Sequence, residues 1–456
     1  METKKKGFPV AFWVCSCSEI FERLAYYLGR SLILIFVTAS VATGGLGLSD
    51  TVAANMQSNL TAFSYLLPLF GAVIVDKYIG ARYTTPVGMF IAAAGYFTGG
   101  IAKSATGVYV MIFLVSLGLA LFKNGAIIGR VITDKSQMDP AFSMRYTLVN
   151  VGAFIGTFLV GILYKDVFAK DGVLGFAPCF KMAALMMVLG GLWYIFVCWR
   201  FLGDLGKLPF KKTLTEEEKA AEAKKKEEAG TKQPLTTIEK KRIGAIFVAS
   251  LFSIVFWIFW YLGYMPVYFY WAENMDWVVA GYQVPSTWFD AANSLFCVIL
   301  GPVTAALWKK LAARPQGDMS LFRKTGLGIA IIGVGYLFYA AIDIMRGGEK
   351  ASVLWLIVFA FLLTMGEMFF SPLGHSFISK YSPSRYLAVM MSVWGFATFI
   401  AAKSYGPVYG LLFGGKIEFK VACIGVAVVS FAAALIIDSS GTRNYRHWWT
   451  NRQGAG

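Results

Sequence analysis

Long apolar segments alternate with short polar ones along almost the whole chain. Each apolar segment is long enough for an α-helix to cross the hydrocarbon core of a bilayer, which takes about 20 residues. The pattern predicts an all-α membrane protein with twelve transmembrane helices in two sets of six, and no additional helix pair between the sets. The predicted spans are 10–41, 50–76, 83–102, 106–132, 143–165, 177–202, 242–271, 284–311, 321–345, 352–381, 386–414 and 417–438.

The domain organisation follows from this spacing. Residues 1–202 are predicted to form an N-terminal six-helix bundle and residues 242–438 a C-terminal one, followed by a cytoplasmic tail at 439–456. The stretch 203–241 has mixed charge and no apolar face, which is typical of a solvated, partly helical cytoplasmic linker. A partner-binding segment is the alternative interpretation.

Composition supports a membrane protein and bears on its topology. The chain is 57% hydrophobic and 15% charged, whereas soluble domains average roughly 45–50% and about 25%. Its net charge of +16 lies mainly in loops and tails, so membrane topology rather than nucleic-acid binding accounts for it. Lys and Arg, Arg145 among them, are denser on the side of the N-terminus. This predicts a multi-pass protein of the plasma (inner) membrane with both termini in the cytoplasm.

The first predicted helix carries several ionisable groups. Glu19, Glu22, Arg23, Tyr26 and Arg30 fall on one helical stripe about 100° wide. A charge at bilayer depth costs at least ~2.5–3.5 kcal/mol on insertion scales, so such a stripe faces a polar interior and marks an ion or substrate path. The alternative is a buried ion-pair cluster that only holds helices together.

Residue types needed for other chemistry are sparse. The six cysteines lie mostly in apolar segments, and Cys15 and Cys17 point to different sides of a helix, so no disulfide framework or metal site is predicted. The two histidines argue against a His-based catalytic or zinc site. The sequence also lacks an HExxH motif and a phosphate-binding loop. We therefore expect no enzymatic activity, no cofactor and no metal.

The motif Glu19-x-x-Glu22-Arg23-x-x-Tyr26-Tyr27 resembles the ExxERxxYY motif of the proton-dependent oligopeptide transporter (POT or PTR) family, a branch of the major facilitator superfamily. The resemblance covers both halves of the chain and at least seven helices, and it implies the major facilitator fold. The other matching segments are GAVIVDKYIGAR, GLALFKNG with Lys123, YTLVNVGAF with Asn150, VPSTWFDAANSLFCVILGPV with Asn293, TMGEMFFSPLGHSFISKYSP with Glu367 and Ser371, and helix eleven with Trp394.

The resemblance implies a proton-coupled symporter that works by alternating access. Glu19 and Glu22 would carry or gate protons, and Arg23 and Lys123 would be the basic groups with which they exchange contacts. Because a nearby Arg favours an ionised carboxyl and desolvation disfavours it, Glu22 could change protonation state by changing partners.

The same resemblance implies a substrate that is a di- or tripeptide or a related small zwitterion. Arg30 and Lys123 would bind its carboxylate and Glu367 its amino terminus. The remaining residues that would contact the substrate are Tyr26, Tyr27, Tyr65, Asn150, Asn293, Ser371 and Trp394. Short peptides, protons and the lipid bilayer are thus the expected partners, and we expect a monomer.

Two positions depart from the family pattern. Helix seven has Tyr261 where the family usually has an acid or glutamine that faces the basic residue of helix one, and Asn124 stands where the family usually has proline. Asp290 lies about one turn outward of Asn293, so we hypothesise that it is the outer-gate partner of Arg30. The alternative is a helix-start acid that the helix dipole favours.

These departures leave two alternative functions. One keeps the fold and the proton coupling but transports another solute, such as an amino acid, a peptide-like drug or an organic anion. The other is a non-transporting membrane receptor, which would have no need for charged residues at matching depth in both halves.

Overall fold

A computed structural model describes residues 7–132, 137–209, 212, 220, 223, 235–315, 319–370, 378, 381–383 and 386–450. Helices dominate these residues. Their bounds are α1 Val10–Thr38, α2 Asp50–Lys77, α3 Ala81–Ile101, α4 Ala105–Leu121, α5 Asn124–Val131, α6 Met138–Ile162, α7 Phe176–Arg200, α8 Thr237–Leu262, α9 Met265–Tyr268, α10 Tyr270–Asn274, α11 Trp288–Ala312, α12 Leu321–Met345, α13 Trp355–Phe370, α14 Leu387–Phe413 and α15 Phe419–Thr450. Each predicted span overlaps one of these helices or a consecutive series of them, which agrees with the predicted all-α fold class.

The helices have the length and surface of membrane spans. Seven helical segments within the described residues are long and apolar enough to cross a bilayer, and α4 and α13 are shorter apolar helices. Large apolar side chains such as Leu411 and Leu435 are exposed on the helix surfaces. A bilayer stabilises such surfaces, and helices satisfy their own backbone hydrogen bonds within it. The chain is therefore a multi-pass membrane protein.

The structure divides into two units. Unit 1 contains residues 1–219 together with 285–295, and unit 2 contains residues 220–284 together with 296–456. The first turns of α11 thus belong to unit 1 and the rest of that helix to unit 2. Most of the predicted linker at 203–241 lies outside the described residues, so its boundaries stay a prediction.

Helix α1 is the centre of unit 1 and packs against α2, α5, α6 and α7. Two glycines one helical turn apart in α6 allow a close approach. A Cβ at Gly152 would lie 2.9 Å from the carbonyl oxygen of Ile20, and a Cβ at Gly156 would lie 2.5 Å from that of Leu24. Small residues with this spacing let two helix backbones meet within a membrane. The α6 backbone therefore lies directly on the turns of α1 that carry Glu22 and Arg23.

The predicted span at 106–132 is interrupted. Helix α4 ends at Leu121, Phe122 is extended with ψ near 103°, and Lys123 is the N-cap of α5 with φ −123° and ψ 33°. The amide of Lys123, which thus lies outside the α4 ladder, donates a hydrogen bond to Thr85 Oγ1 at 3.3 Å. The interruption places Lys123 and Asn124 in the interior of the span.

In unit 2, α8 packs against α12 and α14, and α12 also packs against α13 and α15. The hydroxyls of Tyr336 and Tyr339 on α12 donate to the carbonyls of Phe259 and Gly263 near the end of α8. Beyond α8 the chain forms two short helices and short strands. The strand pairs are β1 Met275–Asp276 parallel to β4 Ala351–Ser352, and β2 Val278–Val279 antiparallel to β3 Tyr282–Gln283.

A polar cluster fastens this segment to the end of α12. The Tyr270 hydroxyl donates to Asp343. Arg346 donates from Nε to Asp343 at 2.8 Å and from Nη2 to the Tyr270 hydroxyl at 2.9 Å. The ring of Tyr270 also stacks on Phe419 with centroids 3.8 Å apart. Tyr270, which the sequence places near a helix end, therefore has a specific structural contact.

The close contact of α6 with α1 predicts that Gly156→Ala lowers the free energy of unfolding by about 1–3 kcal/mol. The new Cβ would meet backbone atoms of Leu24, which cannot rotate away. Thermal unfolding in detergent measures the effect. Gly425→Ala is the matched control, because nothing lies within 4 Å of that Cβ position and alanine favours the helix. Equal melting temperatures for the two variants would contradict the prediction.

Candidate functional site

Glu19 is completely buried in unit 1 and accepts several hydrogen bonds at one oxygen. Its Oε1 lies 2.9 Å from both Nε and Nη2 of Arg145 on α6. Nδ2 of Asn124 on α5 donates to the same oxygen at 3.2 Å and to the Cys15 carbonyl at 2.8 Å. Three helices therefore meet at this carboxylate, and a guanidinium balances its charge.

Glu22 is also completely buried, but its surroundings differ. Nε of Arg23 lies 3.0 Å from Oε2 of Glu22, without the alignment that a hydrogen bond requires. Within the described part of the chain, no group donates a hydrogen bond to either oxygen of Glu22. The guanidinium of Arg23 also lies over the Tyr26 ring at 5.7 Å. Glu22 thus has an ion pair without a hydrogen bond, whereas the Glu19 carboxylate accepts hydrogen bonds from Arg145 and Asn124.

The structure brings Arg30 and Asp290 into one unit. Both side chains are buried, with exposed fractions of 6% and 5%. Ser31, the neighbour of Arg30, donates to Oδ2 of Asp290 at 3.0 Å. The Gln57 side chain donates to the Arg30 carbonyl at 3.1 Å, and the Arg30 guanidinium lies 6.0 Å from the centroid of the Tyr27 ring. A hydrogen bond therefore joins α11 to α1 one residue from Arg30.

Lys123 is partly buried at the interruption between α4 and α5. Its ammonium donates to the Pro68 carbonyl on α2 at 2.7 Å. The groups whose charges act on Glu22 are Arg23, Glu19 and Arg145. In this structure the ion-pair partner of Glu22 is Arg23. The predicted change of partner from Arg23 to Lys123 therefore stays a prediction.

The aromatic residues of the α1 motif lie side by side. The rings of Tyr26 and Tyr27 meet edge to face with centroids 5.4 Å apart. Tyr65 on α2 is 44% exposed. Asn150 on α6 donates to the Tyr146 carbonyl one turn earlier at 3.0 Å. These four predicted substrate residues belong to unit 1, as does Asn293, which is buried near the start of α11.

Unit 2 holds the predicted acid for the substrate amino group. Glu367 on α13 is 9% exposed, and the Cys297 thiol donates to its Oε2 with an S···O distance of 3.7 Å. Trp394 stacks on Phe370 with centroids 5.9 Å apart, and Phe370 stacks in turn on Phe256 at 4.0 Å. Ser371 lies outside the described residues.

Sequence reasoning missed Arg145, Asn124 and Cys297 as contributors to the site. The sequence places Arg145 among the cations that determine membrane topology, and its separation of 126 positions from Glu19 gives no local signal of their contact. Asn124 departs from the proline that is usual in the family, but the sequence does not indicate its hydrogen bonds to Cys15 and Glu19. Cys297 lies within a segment that resembles the family, but it is not one of the motif residues in that segment.

Comparison with known proteins agrees with the fold and these motifs. The PTR2 model of the POT family matches residues 203–412. The di-/tripeptide transporter of Lactococcus lactis subsp. cremoris is 24% identical over 440 residues, which cover 85% of this chain and 86% of that protein. The peptide transporter YePEPT of Yersinia enterocolitica subsp. palearctica serotype O:3 (strain YE-P4) is 24% identical over 489 residues, which cover 94% of each.

The fold agrees as well. A solved POT family transporter in complex with 5-aminolevulinic acid superposes with a TM-score of 0.84 at 23% identity, over 97% of this chain and 98% of that one. The fold and the buried ionisable helix define a multi-pass membrane transporter. In sequence and in fold, the chain is similar to the POT family of transporters. The prediction of a transporter rather than an enzyme is thereby confirmed.

The Glu19–Arg145 pair predicts that Arg145→Gln destabilises unit 1. The change leaves a fully buried carboxylate without its cation, and we expect a loss of about 1.5–3 kcal/mol. Because Arg145 is 28% exposed, the loss should be smaller than for a fully buried pair. Thermal unfolding of the purified protein measures it.

Two further variants serve as controls. Arg200→Gln changes an exposed arginine at the end of α7 and should leave the melting temperature unchanged. Glu19→Gln combined with Arg145→Gln removes both charges and should recover part of the loss. A single Arg145→Gln variant as stable as Arg200→Gln would show that the pair contributes nothing.

Proposed function

We propose that this protein is a proton-coupled symporter that imports di- or tripeptides or related small zwitterions by alternating access. It would act as a monomer in the plasma membrane, with both termini in the cytoplasm. The observation that carries the proposal is the pair of fully buried carboxylates on α1, which contact arginines in the same unit. Buried ionisable groups in a membrane helix mark an ion or substrate path.

Glu22 is the proposed site of proton exchange. Arg23 is its ion-pair partner among the described residues, and no described group donates a hydrogen bond to either of its oxygens. A carboxyl in this setting can take up a proton without breaking a directed hydrogen bond. Protonation would release Arg23, which could then form other contacts as the transporter changes state.

The proposed substrate contacts follow the charges of a zwitterion. Arg30 and Lys123 would bind its carboxylate, because Arg and Lys donate charge-assisted hydrogen bonds to such groups. Glu367 would bind its amino group, and its buried carboxylate already accepts a bond from Cys297. The names of the Lactococcus and Yersinia relatives support a peptide.

A second candidate is a small zwitterion that is not a peptide. The solved relative with 5-aminolevulinic acid supports it, since that ligand carries an amino group and a carboxylate without a peptide bond. Tyr261 also supports it. This buried residue stacks on Tyr405 with centroids 5.0 Å apart, at a position where the family usually has an acid or glutamine.

Uptake into liposomes tests the proposal. With the purified protein and an inward proton gradient, we expect labelled dialanine to accumulate above its external concentration, and a proton uncoupler to abolish accumulation. Accumulation of labelled 5-aminolevulinic acid without accumulation of dialanine would favour the second candidate. No gradient-driven uptake of either compound would refute proton-coupled transport of both.

Glu22→Gln separates coupling from binding. The variant cannot exchange a proton at this position, so we expect gradient-driven accumulation to fall at least tenfold. Exchange of labelled for unlabelled dialanine at equal pH should persist, because it needs no net proton movement. Retained accumulation in a well-folded variant would exclude Glu22 as the proton carrier.

We also propose that Asp290 and Arg30 together form an outer gate. The support is their burial in one unit and the hydrogen bond from Ser31 to Asp290. Arg30→Asp and Asp290→Arg should each abolish dialanine uptake, because like charges would then face each other. The doubly exchanged variant should recover part of the uptake rate. Absence of recovery, with both single variants folded, would reject the gate.

A further inference from the structure

We infer that Cys297 is a positioning residue that orients the Glu367 carboxylate for the amino group of the substrate. The inference rests on the proposed function, which assigns the binding of that amino group to Glu367. Cys297 is not one of the motif residues of its segment, so the resemblance to the family gives it no task. The support comes from the hydrogen bond between the two side chains and from the packing around it.

The thiol and the carboxylate meet inside unit 2. Sγ of Cys297 on α11 donates a hydrogen bond to Oε2 of Glu367 on α13, with 3.7 Å between the two atoms. Cys297 is 3% exposed and Glu367 is 9% exposed. Because little water reaches buried groups, a hydrogen bond between them is stronger than the same bond at an exposed surface. A neighbouring helix therefore restrains one oxygen of the carboxylate.

The surroundings of the thiol are apolar. It belongs to a hydrophobic cluster whose other members are Phe296, Leu300, Met365 and Met368. Phenylalanine, leucine and methionine have no hydrogen-bond donor in their side chains. Within this cluster, Cys297 is therefore the residue whose side chain can donate to Glu367.

The backbone of α13 is fixed on both sides of Glu367. A Cβ at Gly366 would lie 3.0 Å from the carbonyl oxygen of Gly328 on α12, and a Cβ at Gly328 would lie 3.0 Å from that of Gly366. Three residues after Glu367, Phe370 stacks on Phe256 of α8 with centroids 4.0 Å apart. The remaining freedom of Glu367 lies in its side-chain torsions, and the contact with the thiol restricts these.

The chemistry of a thiol suits this task, because a thiol is a weak and uncharged donor. A lysine or arginine in its place would neutralise the carboxylate and compete with the amino group of the substrate. Cys297 orients Glu367 and leaves its charge available to the substrate. Because a side chain that is already ordered loses less rotamer freedom on binding, the contact should increase the affinity for the amino group.

Cys297→Val tests the inference, because valine is a small apolar side chain without a donor. Uptake of labelled dialanine into liposomes under an inward proton gradient gives KM and the maximal rate. We expect KM to rise about fivefold, since binding must then order the Glu367 side chain. The maximal rate should stay unchanged, because saturating dialanine overcomes the weaker binding.

Two further substitutions of Cys297 separate the donor from the packing. Cys297→Ser keeps a donor and should retain the KM of the intact protein. Cys297→Ala lacks the donor and should show the same rise as Cys297→Val, so the test does not depend on how valine packs. Melting temperatures without substrate show that each variant is folded.

Two readouts separate lost orientation of Glu367 from general damage to the binding site. Dialanine should raise the melting temperature in detergent, and Cys297→Val should need about five times more dialanine for the same rise. N-acetyldialanine has no free amino group, so its inhibition constant against dialanine uptake should not change. An inhibition constant that rises as much as KM would overturn the inference.

Cys423→Val is the matched control, because it removes a fully buried thiol from α15 of the same unit. Its KM should equal that of the intact protein. An unchanged KM in Cys297→Val, or an equal rise in Cys297→Ser, would overturn the inference. If the intact protein does not accumulate dialanine, or if Glu367→Gln leaves KM unchanged, the proposed function fails and the inference fails with it.

Discussion

Burial of two carboxylates on one membrane helix is the constraint on which the rest of unit 1 depends. An ionised carboxylate without a partner is too costly in a medium that excludes water. Arg145 and Asn124 compensate Glu19, and Arg23 compensates Glu22. The positions of α5 and α6 around α1 therefore follow from charge as much as from apolar packing. The separate start of α5 at Asn124 brings the amide of this residue to Glu19.

Most of the fold could be predicted from the chain alone, because bilayer thickness sets the length of each apolar run. Every predicted span overlaps one or more observed helices, and Glu19, Glu22, Tyr26 and Arg30 of the ionisable stripe are buried. The break at Phe122 could not be predicted. No proline marks it, and the apolar sequence on both sides is compatible with an unbroken helix.

The candidate site was predictable only as far as its motifs reached. Motifs identify the residues of one helix, but they do not show which distant side chain completes a pair. Arg145 lies 126 positions from Glu19, and Cys297 lies 70 positions from Glu367. Both contacts arise from helix packing, and neither helical periodicity nor composition contains that information. Membrane topology already accounts for a cation near a helix end, so nothing in the sequence indicates that Arg145 pairs with a distant acid.

The paired glycines of α6 have a consequence for motion. Their backbone meets the carbonyls of Ile20 and Leu24 so closely that a Cβ at either glycine would clash with them. The contact therefore tolerates only a residue without a side chain at these two points. Because Glu22 and Arg23 lie on the same turns of α1, we expect a displacement of these turns to move α6 with them.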